Sequence, residues 1–168
     1  MKIELTYPDY KDPAFKPMVE QTEYLLGVLY ADKEHRLDMD LTRDIGSEID
    51  PYGTGSQHFW RGVVDTGGYI AVEGAGRYEY PQFELKGGYR FLRKFLDFCE
   101  ETLAPRSLGS QFKWDADGKL EFQAMGNFIS LGGGRAQEVV RLLYVGAVIS
   151  RDTFRQRANR IVQWLPKR

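Results

Sequence analysis

Apolar and polar positions change their period several times along the chain, and each change marks an expected element. Residues 2–7 alternate, with Ile3, Leu5 and Tyr7 on one side, which predicts a first strand stopped by Pro8. Residues 8–17 hold three prolines and read as a loop, in which Asp12-Pro13 has the form of an N-cap followed by proline at the first helical position. Residues 18–31 fit two templates. Met18, Leu25, Leu26 and Leu29 share one helical face, while Tyr24 to Tyr30 also reads as a buried strand before a turn at Asp32-Lys33-Glu34. The helix, over 17–31, is the favoured reading. Leu37, Met39 and Leu41 then alternate with Arg36, Asp38 and Asp40, as in a half-exposed strand.

Residues 44–58 are the longest turn-rich stretch, and long loops in compact domains often carry function. Two strands are expected after it, near 59–65 and 69–78, joined through Thr66-Gly67-Gly68. The spacing of Phe91, Leu92, Phe95, Leu96, Cys99 and Leu103 predicts a helix over 88–103 with one apolar stripe and a charged opposite face. A hairpin follows: Phe112 and Trp114, a turn at Asp115-Ala116-Asp117-Gly118, then Leu120, Phe122 and Ala124. Leu131-Gly132-Gly133-Gly134 is expected to open a helix over about 135–149, apolar on every side from Val139 except at Arg141, and therefore buried. Ser150 reads as the N-cap of a last helix over about 151–165, with Phe154, Ala158, Ile161 and Leu165 inward. Strands, a helix, a hairpin and two helices make an α+β fold. The expectation is a single domain over 1–168: an antiparallel sheet with two or three helices packed mainly on one face.

Composition sharpens this picture. A chain of 168 residues buries roughly 70% of its unfolded surface, enough for a core without staples. With one cysteine, no intrachain disulfide can form, and Cys99 falls on the apolar arc of the 88–103 helix, where a thiol is buried and inert. The start, Met1-Lys2-Ile3-Glu4-Leu5, has no apolar leader segment, and the longest apolar run, Leu142–Ile149, is far below the ~20 residues that span a bilayer. A cytoplasmic protein with no membrane association is expected.

Charge divides the chain. Residues 1–50 carry 6 basic and 12 acidic side chains, residues 51–130 carry 9 and 10, and residues 131–168 carry 8 and 2. A near-neutral total thus conceals an acidic end and a basic end, which bears on partners and association rather than on fold. The 10 Tyr, 10 Phe and 3 Trp either fill an aromatic core or supply contact surface at low rotamer cost.

Candidate chemistry is sparse. Zinc needs three or four His, Cys or carboxylate ligands, and His35, His58 and Cys99 are too few and too scattered, so no metal or cofactor is expected. His35 reads as a solvated turn residue. His58 closes the 44–58 loop beside Phe59 and Trp60, placed to be a general base or simply packed on aromatics. No GxSxG elbow, calcium loop, Walker loop or GxGxxG occurs. Gly132-Gly133-Gly134-Arg135 is either an anion cradle at a helix start or a plain linker. Asp38, Asp40, Asp44, Glu48 and Asp50, with Tyr52, are the candidate partner-binding residues, forming an acidic surface for a basic region of a protein partner. In the last helix, Arg157, Arg160 and Trp164 lie along one stripe and Arg151 and Arg155 on the other flank.

The function expected from these features is stoichiometric binding. The general character is that of a small bacterial inhibitor or immunity-type protein that neutralises a partner protein or toxin, without enzymatic activity. The alternatives are nucleic-acid binding, with Arg151, Arg155, Arg157, Arg160, Lys167 and Arg168 on phosphates, or an enzyme with an unrecognised site.

Overall fold

Tyr89–Thr102 is helical for the reason its sequence suggests. One stripe, comprising Phe91, Leu92, Phe95, Leu96, Phe98 and Cys99, is buried, while Glu100, Glu101 and Thr102 are exposed. The structure, a computed structural model, describes residue 14 and residues 16–37, 55–103, 113–114, 120–121 and 128–167. Among these, five helices and five strands follow in the order α1 (Lys16–Leu37), α2 (Gln57–Gly67), β1 (Gly68–Glu73), β2 (Tyr80–Lys86), α3 (Tyr89–Thr102), β3 (Lys113–Trp114), β4 (Leu120–Glu121), β5 (Phe128–Gly132), α4 (Gly134–Tyr144) and α5 (Asp152–Gln163).

The fold is α+β, with more helix than the two or three elements expected. A three-stranded antiparallel sheet has the order β1-β2-β5, with Ile70 opposite Phe83 and Phe83 opposite Leu131. Strand alternation sends Ile70, Phe83, Leu85, Ile129 and Leu131 into the core. Tyr69, Glu73, Tyr80, Gln82, Glu84 and Ser130 lie on the other face, where Tyr69, Tyr80 and Ser130 are exposed and Glu73, Gln82 and Glu84 partly buried. Trp60 is the hub of the core: its ring centroid lies 5.4 Å from Phe91, 5.2 Å from Phe95 and 6.3 Å from Phe98, and Phe95 stacks on Phe83 at 5.5 Å. Cys99 is fully buried there, and burial pushes its thiol pKa up. The short β3–β4 pair matches the predicted hairpin.

Several expectations are corrected. Residues 59–65 are helix, not strand: Ser56 caps α2, its Oγ accepting from the backbone N–H of His58 (3.1 Å) and Phe59 (3.4 Å). The hairpin therefore does not turn at Thr66-Gly67-Gly68. It turns after Glu73, through a 3-10 turn at Gly76–Tyr78. Leu131 and Gly132 belong to β5, and α4 ends at Tyr144, short of 149, where Gly146 takes φ 76° and Val145 and Val148 are exposed instead of buried. Ser150 does not cap α5. Arg151 holds that position, and Ser150 Oγ accepts from Arg155 Nε at 3.0 Å.

Helix α1 runs straight through Asp32-Lys33-Glu34 and includes His35 and Leu37, so neither a turn nor a strand begins there. Its buried stripe is Glu20, Tyr24, Gly27 and Ala31, while Met18, Leu25 and Leu29 face outward. Of the expected inner face only Leu26 packs against the core, and the other three residues are on the outer side. Close approach to α2 explains the choice: a Cβ on Gly27 would lie 1.9 Å from the Phe59 carbonyl oxygen, and one on Gly62 would lie 2.1 Å from that of Tyr24. The two backbones touch where both helices carry glycine. The expected strand at 2–7, the Asp12-Pro13 cap and the strand beyond Leu37 lie outside the described residues.

Candidate partner-binding surface

Helix α2 brings two charged side chains, Arg61 and Asp65, one turn apart into the interior, both fully buried. Charge in such a place requires partners, and each has them. Arg61 donates from Nη2 to Glu20 Oε1 at 2.6 Å, from Nη1 to the Leu143 carbonyl at 2.8 Å and from Nε to the Ile149 carbonyl at 2.7 Å. Its Nη2 also lies 3.0 Å from His58 Nδ1. Glu20 Oε1 accepts the backbone N–H of Val148 (2.9 Å) and Ile149 (3.2 Å). Asp65 accepts from Tyr24 Oη at 2.7 Å, Tyr144 Oη at 2.5 Å and the Arg151 N–H at 2.7 Å. Burial, then Asp65, raises both tyrosine pKa values, so both phenols stay protonated as donors. Burial, then Arg61, lowers that of His58, which fits a neutral ring accepting at Nδ1. His58 is thus a member of a structural network in the first turn of α2, not the end of a loop.

The network places α5. Asp65 holds its first turn through Arg151, and Gln137 of α4 holds its end, donating from Nε2 to the carbonyls of Ile161 (3.0 Å), Val162 (3.2 Å) and Trp164 (2.7 Å). The Trp164 indole N–H donates to the Glu79 carbonyl at 2.9 Å, and Lys167 Nζ to that of Gly76 at 3.2 Å. These two bonds join the helix to the β1–β2 turn.

Along this junction the surface is rich in tyrosine and arginine. Tyr69, Tyr78 and Tyr80 are 38%, 69% and 44% exposed. Tyr69 donates to the Glu73 carboxylate. The Arg157 guanidinium lies 6.0 Å from the Tyr69 ring and 5.9 Å from Phe154, and that of Arg77 lies 4.9 Å from Tyr78. Beside it an open cleft of about 530 Å³ is lined by Val72, Glu79, Arg160, Gln163, Trp164, Leu165, Pro166 and Lys167. The outward Met18, Leu25 and Leu29 of α1 form a second apolar surface, 53–62% exposed.

The acidic candidates Asp38, Asp40, Asp44, Glu48, Asp50 and Tyr52 lie outside the described residues. The arginines of the last helix are where the sequence places them: Arg151, Arg155, Arg157 and Arg160 are exposed. The tyrosines of the hairpin were not singled out in the sequence; Tyr69 and Tyr80 alternate with core residues, and that was the available signal. Gly132 ends β5 and the Gly133 N–H donates to the Pro81 carbonyl at 2.8 Å, so that N–H serves the strand-to-helix junction. Among the described residues no group of three or more His, Cys, Asp or Glu side chains is placed to hold a metal, and no helix is long and apolar enough to cross a membrane. No protein-family model, curated protein or solved structure matches the chain.

Proposed function

We propose that this protein acts by stoichiometric binding of another protein, through the surface built by the β1–β2 hairpin and α5. The observation that carries the reading is the set of exposed Tyr69, Tyr78 and Tyr80 interleaved with Arg77 and Arg157. Tyrosine and arginine are the residues enriched where interfaces concentrate their binding energy. Hydrogen bonds at both ends of α5 hold the arginine-bearing helix in place before a partner arrives, which lowers the ordering cost of association. Neutralisation of a partner protein needs nothing more than such a surface, and the acidic run from Asp38 to Asp50 is proposed as a further contact for a basic region of that partner.

The arginines of α5 together with stacked aromatics also suit nucleic acid. Glu84 lies across from Tyr69 and Glu73 across from Tyr80 on the same sheet face, however, and these carboxylates repel phosphate. The protein reading is therefore preferred. The test is the variant Tyr69→Ala with Arg157→Ala. Wild-type protein immobilised in an extract of its source cells is expected to retain one protein in a fixed stoichiometry, and the variant, with unchanged thermal stability, to lose it. Retention by the variant, or wild-type affinity for oligonucleotides alone, overturns the proposal.

A further inference from the structure

We infer that the cleft between the end of α5 and the β1–β2 turn receives an acidic, extended segment of the partner, with a carboxylate against Arg160 and a neighbouring aliphatic side chain against Trp164 and Leu165. This rests on the protein-binding reading above and specifies what the partner presents.

The argument starts from charge inside the cleft. Among the described residues its one carboxylate, Glu79, lies 3.8 Å from Lys167 Nζ, and the two offset each other. Arg160 has no hydrogen bond or ion pair with any of the described residues, so the cleft retains a positive charge with access to solvent. Along α5 and its N-cap the charge is mostly of the same sign. Exposed Arg151, Arg155, Arg157 and Arg160 stand on α5 against the single acid Asp152. Among the described residues Arg157 is engaged by two ring faces, and no carboxylate bridges it. A positive groove favours an acidic occupant and repels a basic one.

The rest of the lining selects the kind of acid. Val72, Trp164, Leu165 and Pro166 are apolar, and Leu165 is 75% exposed. The Trp164 indole is fixed in orientation by its bond to the Glu79 carbonyl, so it is ready to receive a side chain. The cleft is open along one side, and a volume of about 530 Å³ suits two or three side chains of a passing segment. Phosphate-rich chains gain nothing from the aliphatic wall.

The test uses the whole protein and a blocked synthetic peptide of alternating aspartate and leucine, followed through the Trp164 indole N–H resonance in two-dimensional NMR and assigned with Trp164→Phe. The acidic peptide is expected to shift that resonance saturably at low salt. Arg160→Gln should weaken binding about tenfold, in line with loss of one charge-assisted hydrogen bond. A peptide with asparagine for aspartate should be weakened to a similar degree, and an oligouridine should leave the resonance in place. No shift with the acidic peptide, equal binding of the asparagine peptide, an unaffected Arg160→Gln variant, or a stronger response to oligouridine each overturns the inference. Failure here alongside partner retention that depends on Tyr69 and Arg157 removes the cleft assignment alone. Peptide binding by a protein whose Tyr69→Ala, Arg157→Ala form still retains its partner removes the broader surface instead.

Discussion

Arg61→Met removes the most connected side chain of the interior while nearly keeping its volume. The guanidinium is fully buried and serves Glu20, His58 and the carbonyls of Leu143 and Ile149. Methionine offers none of these bonds. Among the described residues, Glu20 then keeps the two backbone N–H groups of Val148 and Ile149, with no countercharge in reach except a protonated His58 at 3.8 Å. Breaking a buried ion pair from one side costs about 3–5 kcal/mol. Two carbonyls left without donors cost about 1–3 kcal/mol each, an effect that overlaps with the first as the site relaxes. The expected loss is therefore about 4–6 kcal/mol. In a chain of this length that lowers Tm by about 8–24 °C. Urea unfolding at pH 7.5, followed by both circular dichroism and tryptophan fluorescence, measures it. Glu20→Gln combined with Arg61→Met should be less damaging than the two single losses summed, by about 2 kcal/mol, because the orphaned charge is gone. A loss below about 1 kcal/mol for Arg61→Met, or strict additivity in the double variant, would refute the network as the support of the 145–151 segment.

His58 sets a pH dependence with a defined sign. Its native pKa lies below 6.5, so the unfolded chain takes up the proton first and stability falls as pH drops below about 6.5, by at most ~1.4 kcal/mol per unit until the native ring is protonated. His58→Gln, which retains an acceptor, should flatten that part of the profile between pH 7.5 and 5.5; an unchanged slope would show that His58 is not responsible. Gly62→Ala drives a methyl group into the Tyr24 carbonyl and should cost at least about 1–3 kcal/mol in urea unfolding, whereas a neutral result would mean that α1 and α2 stand further apart. Phe95→Ala removes the ring stacked on Phe83 and set edge-on to Trp60, and a loss of about 3–5 kcal/mol is expected; below about 1 kcal/mol the packing of α3 would be wrong.

The elements legible in the sequence were those with one wet and one dry side. Helix α3 and the burial of Cys99 follow from a single stripe, and α5 from Phe154, Ala158 and Ile161. Helix α2 is hard to see in the sequence because Phe59 through Asp65 are all buried, which erases the 3.6-residue period, and because Val63, Val64 and Gly62 have weak helix propensity. Ser56 as N-cap is the local signal for it. Helix α1 differs in the opposite sense: Leu25 and Leu29 face outward because the glycine contact and the Glu20–Arg61 pair decide which side packs, and neither effect is visible in an apolar pattern. Strand β5 carried a clear alternation, Ile129-Ser130-Leu131, that the following glycines obscured. For the candidate surface, the arginines of α5 are legible directly, whereas the tyrosines beside them show only as an alternation with core residues, and the register that exposes Tyr69 and Tyr80 depends on where the turn falls.

The buried polar groups also bear on the order of folding. Glu20 bonds to residues 128 and 129 positions further along the chain, and Asp65 to partners 41, 79 and 86 positions away. Closing loops of that length costs entropy before any bond rewards it, whereas the β1–β2 hairpin and α3 close locally. The network is therefore completed after the main barrier, once the chain is already collapsed. Substitutions at Glu20, Arg61 and Asp65 should steepen the unfolding rate in stopped-flow traces and leave the refolding arm nearly where it was. Substitutions in the aromatic centre around Trp60 are expected instead to slow refolding in the same traces.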